Sequence, residues 1–106
     1  MTRLEKYQQD RHLFKDGQVV FFQGKYPLSR LIRFITNSKY SHVGIIGRWG
    51  GRVLCLEAVS GGLRAHPLSE LMAHYKGGIE VRDVVDQLYD PAAAVKWMID
   101  HLGTRY

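Results

Sequence analysis

The sequence predicts an α+β domain, a small and mostly antiparallel sheet with flanking helices. Three observations predict it. Two apolar runs, around Val43, Ile45 and Ile46 and around Val53, Leu54 and Leu56, flank Trp49-Gly50-Gly51. Paired glycines accept the positive φ of a tight hairpin, so these runs read as two strands joined end to end. Leu28, Leu31, Ile32 and Ile35 recur at the spacing of one helix face,. Finally, 106 residues without internal repeat, linker or low-complexity stretch suit a single core,.

Taken in order, residues 2–14 are rich in helix formers, and Leu4, Tyr7 and Phe14 can share a face. Asp16-Gly17 marks a turn before a short apolar strand from Val19 to Phe22. Pro27-Leu28-Ser29 opens the helix already noted, with Arg30 and Arg33 on its other face, and Asn37-Ser38 ends it. After the hairpin, Ser60-Gly61-Gly62 turns the chain into a short third strand at Leu63-Arg64-Ala65. Pro67 suits a first helical turn, with Leu68, Leu71 and Met72 as the stripe and Gly77-Gly78 as the breaker,. Ile79, Val81 and Val84-Val85 alternate with Glu80, Arg82 and Asp83, as in a half-exposed strand,. Asp90-Pro91 is a strong helix start, N-cap followed by Pro at the first position,. Ala94, Trp97, Met98 and Leu102 read as that helix's stripe and Gly103 as its C-cap,.

Composition narrows the partners. Hydrophobic residues make up 45% of the chain, which argues for a folded protein, and no apolar run is long enough to span a bilayer,. The N-terminus has no hydrophobic stretch of the signal-peptide kind, which favours a cytoplasmic or virion-associated location,. A single cysteine excludes an internal disulfide,. The net charge of +5 is uneven: no acidic residue stands between Asp16 and Glu57, where Lys25, Arg30, Arg33, Lys39, Arg48 and Arg52 all fall. Such a field suits an anionic partner, a wall polymer or a lipid headgroup, or simply a solvated face. No nucleic-acid module signature accompanies it.

Inside the hairpin's apolar runs stand His42 and Glu57. A buried carboxylate needs a partner, and an imidazole on the facing strand is a natural one. A His held by a carboxylate is the base half of a nucleophilic triad, although a hydrogen-bonded core histidine would look the same in sequence. Cys55 shares the face of Glu57 by the period of two, but it is mid-strand, without a helix end or adjacent cation to favour a thiolate,. It reads as a small buried hydrophobe. His12, His66, His74 and His101 lack ligand spacing, so neither a metal nor another cofactor is expected,.

The run DGQVVFFQG, the helix after it, YSHVGIIG and VLCLEAV together resemble a permuted NlpC-type papain-like hydrolase, the group of the YiiX-like enzymes and of the lecithin:retinol acyltransferase-like proteins. Ser41-His42-Val43-Gly44 matches the His motif, Glu57 falls where the third polar residue lies, and Gly62-Leu63-Arg64 with Pro67 to Leu71 resembles the continuation. Gln18 stands where the family often has an acidic residue. The resemblance implies a helix or arm over residues 1–15 and one permuted domain over 16–106. It also implies acyl transfer on an amide or ester of peptidoglycan or lipid, with His42 and Glu57 catalytic. The family's Cys begins a helix beyond the segment that ends here at Tyr106, so the domain is expected without its nucleophile helix and inactive alone. The alternative is a non-catalytic structural or binding module of a larger assembly such as a phage particle. In either case the face carrying His42 is expected to be covered by a second copy, by another protein or by the N-terminal segment.

Overall fold

Gly50 and Gly51 take φ of 59° and 76°, the two positive values of a two-residue hairpin turn. They join β2 (His42–Trp49) to β3 (Arg52–Val59), with Trp49 opposite Arg52 and Gly44 opposite Glu57. The computed structural model describes residues 1–24, 42–59 and 61–104. The helix expected from Pro27 to Ile35 lies outside the described residues, as do Ser41 of the His motif and Ser60.

Around this hairpin lie β1 (Val19–Gly24), β4 (Gly62–Pro67) and β5 (Gly77–Arg82). The sheet order is β4-β3-β2-β1-β5, with every neighbouring pair antiparallel. Among the described residues three α-helices flank it: α1 (Arg3–Asp10), α2 (Leu68–His74) and α3 (Pro91–Asp100). A capping box starts α1, in which the Thr2 hydroxyl accepts from the Glu5 amide and the Glu5 carboxylate accepts from the Thr2 amide,. The Asp90 side chain accepts from the Ala93 amide to start α3.

Alternation along the strands divides the core in two. On one face Val20, Phe22, Ile46, Val53 and Cys55 pack with Leu68 and Met72 of α2 and Tyr7 of α1, with Leu4 and Phe14 against them. On the other face Leu54 and Leu56 pack with Val95 of α3, joined by Ile45, Ala65, Met98, Ile99 and Leu102. The N-terminal helix thus folds back over the first face. The guanidinium of Arg3 donates to the carbonyls of Leu71, Met72, Tyr75 and Gly77, at 3.3, 2.8, 2.5 and 2.6 Å. It caps the C-terminal end of α2, where helix carbonyls lack intrahelical partners.

Four details differ from the sequence reading. The third strand runs on through His66 to Pro67 rather than stopping at Ala65. Gly77 and Gly78 begin β5 instead of breaking α2, which ends at His74. β5 stops at Arg82, and Val85 is 95% exposed; two adjacent valines cannot both face inward from an alternating strand. In α3 the inward stripe is buried Val95 with partly buried Met98 and Ile99, continued by Leu102 just past the helix, while Trp97 lies 56% exposed and stacks on His101 at 4.0 Å.

Candidate active site

The hairpin register sets His42 and Glu57 on the same face of adjacent strands. Gly44, directly opposite Glu57, lets the two strands pack closely there. A Cβ on it would stand 2.7 Å from Cys55 Sγ, closer than atoms tolerate, and 3.3 Å from the Glu57 Cβ, a tight contact. Glu57 is 4% exposed, the one charged residue among the buried ones described. Its Oε2 accepts from His42 Nε2 at 2.7 Å. Its Oε1 accepts from Nδ1 of His66, the residue that the longer β4 carries onto this face.

An ionised carboxylate only accepts, so each ring nitrogen facing it carries the proton. In the neutral ring of His42 that leaves the lone pair on Nδ1. The ring is half-buried, with 31% of its side chain exposed, and tilts against Phe22 at 5.3 Å between centroids. Burial alone pushes the Glu57 carboxyl up. The hydrogen bonds from His42 and His66, and then their charges, outweigh that and hold it below the ordinary glutamate range,. The arrangement can keep a charged orienter under a partly exposed ring whose other nitrogen can take up a proton.

His66 is the residue that sequence reasoning missed, having been set among the scattered histidines. Its signal was present: Arg64 and His66 fall on one face by the period of two, and Arg64 pairs directly with Glu57,. Cys55 is fully buried. Burial first, and the nearby Glu57 charge second, push its thiol well up, away from the thiolate that nucleophilic attack needs,.

Beside Glu57 and His66 opens a groove of about 320 Å³, walled by Glu70, Leu71, His74 and Tyr75.

A model of the permuted papain-like amidases, the YaeF/YiiX or C92 family, matches residues 13–106. The chain belongs to that family. The fold agrees: the crystal structure of YiiX from Escherichia coli O157:H7 superposes with a TM-score of 0.72 at 28% identity, over 88% of this chain and 53% of that one. The chain therefore spans about half the length of YiiX. No curated protein matches it. YiiX is described as a metalloprotein. Among the residues described in this C92 chain, no group of three or more His, Cys, Asp or Glu is arranged to hold a metal ion. The nitrogens of His42 and His66 that converge do so on the Glu57 carboxylate, so the site fits a hydrogen-bonded orienter rather than a metal.

Proposed function

We propose that this chain carries the base half of a papain-type amidase, with His42 as the catalytic base, Glu57 as its orienter and His66 as a second hold on Glu57. The observation that supports it best is the 2.7 Å bond from His42 Nε2 to a carboxylate that is otherwise buried, on a ring that remains partly open. In this reading a thiol from another segment or another chain meets Nδ1 of His42. His42 takes the thiol proton as sulfur bonds to the amide carbonyl carbon, and the carbonyl electrons move to oxygen. The imidazolium then returns its proton to the departing nitrogen as the C–N bond breaks, leaving a thioester. Water, deprotonated by His42, attacks the thioester carbonyl, and the thiol leaves with the proton. Glu57 stays ionised throughout and favours the imidazolium electrostatically. The substrate we propose is a peptide amide of the wall type, with a lipid ester as the lesser reading.

The experiment is amide hydrolysis by the 106-residue chain, alone and with the remaining segment of YiiX added. Alone, turnover should be absent, since removing a triad nucleophile costs a factor on the order of 10⁶. With the segment, turnover should appear, vanish in His42→Ala and survive Cys55→Ala. Turnover by the chain alone that Cys55→Ala abolishes would overturn the assignment. The buried state of Cys55 also supports a second reading, a non-catalytic module that kept the fold; no turnover under either condition would favour it.

A further inference from the structure

At the end of β2–β3 opposite the site, the hairpin tip projects: among the described residues, a Cβ on Gly50 or Gly51 would meet nothing within 4 Å. It carries Trp49, 57% exposed, with Arg52 as its cross-strand partner. The segment after α1 runs beside it, because Arg11 donates to the Gly51 carbonyl and Arg48 donates to the carbonyls of Arg11 and Phe14, both at 3.0 Å. That segment adds Leu13, also 57% exposed, together with exposed His12 and Lys15. Arg11 and Arg48 bond carbonyl oxygens, which leaves their charge uncancelled. Neither they nor Lys15 and Arg52 form an ion pair among the described residues. Asp16 is a counter-charge beside the tip, and its carboxylate accepts from the Arg48 amide at 2.6 Å.

We propose that this tip docks on an anionic lipid bilayer, with Trp49 and Leu13 entering the headgroup boundary and Arg11, Lys15, Arg48 and Arg52 facing lipid phosphates. Two exposed bulky apolar side chains at one end of the sheet, in the company of exposed cations, suit the interface of a bilayer,. A soluble polyanion would use a groove that tracks its backbone. The tip lies about 23 Å from His42 along β2, seven residues at about 3.3 Å each. Docking there leaves the His42 end of the sheet clear of the bilayer surface. The inference stands whether or not the chain hydrolyses anything.

The test is co-sedimentation of the full chain with phosphatidylcholine vesicles, with and without phosphatidylglycerol, together with Trp49 fluorescence in a Trp97→Phe background. Binding should require phosphatidylglycerol, weaken with added salt and shift the emission to the blue. Arg52→Gln and Lys15→Gln should each weaken it about fivefold, and Trp49→Ser with Leu13→Ser at least tenfold. These positions are exposed, so circular dichroism should report unchanged folding. Equal binding to pure phosphatidylcholine, no binding to either vesicle, or undiminished binding by the double serine variant would overturn the proposal. Tighter binding to a soluble polyanion such as single-stranded DNA than to vesicles would overturn it in favour of a polyanion surface.

Discussion

The two faces of the sheet are built from the same strands by opposite rules. Along β3, Leu54 and Leu56 point to a face covered by α3, where they pack in an apolar cluster around Val95. Val53, Cys55 and Glu57 point to the other, where α1 and α2 seal one part and the His42–Glu57–His66 network occupies the rest. The apolar face needs only shape and area, which many residue combinations satisfy. The polar face works only when each buried polar atom has its partner, so each of its three members depends on the other two. One residue of offset in either strand would exchange the two faces entirely.

The largest effect should come from breaking the first face beneath the site. Phe22→Ala is expected to cost about 3–5 kcal/mol, and Leu56→Ala on the second face about 2–5 kcal/mol. Both are large against roughly 5–15 kcal/mol for a small domain. Urea unfolding measures the losses. Only Phe22→Ala should also move the His42 ring resonances, because Phe22 contacts that ring and Leu56 lies on the opposite face.

Acid sharpens the contrast next. Folding holds Glu57 below its ordinary value, so its ionised form contributes stability that is fully present above the unfolded value of about 4.3. That contribution is lost as pH falls from there through the lower folded value. Urea midpoints of the wild type should therefore drop below about pH 4.3. Glu57→Gln should be less stable at pH 7 and flatter across the acid window. An equal acid slope in both would place the acid sensitivity elsewhere.

A smaller effect, about 1 kcal/mol, is expected for His66→Ala. His66→Asn keeps an N–H where Nδ1 stands and should recover most of it. With the YiiX segment present, turnover should follow the same order, which a loss of packing alone would not produce. Smallest and remote from the site, Asp90→Ala should lower stability by about 1 kcal/mol through loss of the α3 cap, leaving the His42 resonances unmoved,.

The hairpin was legible because its signals are local: apolar runs, paired glycines, and two polar residues where packing would not choose them. The α3 start was legible for the same reason, since Asp90-Pro91 acts on its own helix. The α3 stripe was misjudged because Trp97 has an exposed use, stacking on His101, while the smaller Val95 packs in one cluster with Leu54 and Leu56. His66 went unread because its partner, Glu57, lies on the neighbouring strand β3. Pro67 suggested that β4 had already ended, which hid the period of two that His66 shares with Arg64.

Arg3 has a bearing on how such chains may be trimmed. Likeness to the family begins at residue 13, yet the guanidinium that satisfies the end of α2 comes from before that point, as does the Tyr7 ring that closes the first core. A version shortened to the matched region would keep every recognisable motif and lose both. The limit of resemblance and the limit of the cooperative unit are thus different places along this chain. In a relative without such a helix, some other donor must meet those carbonyls.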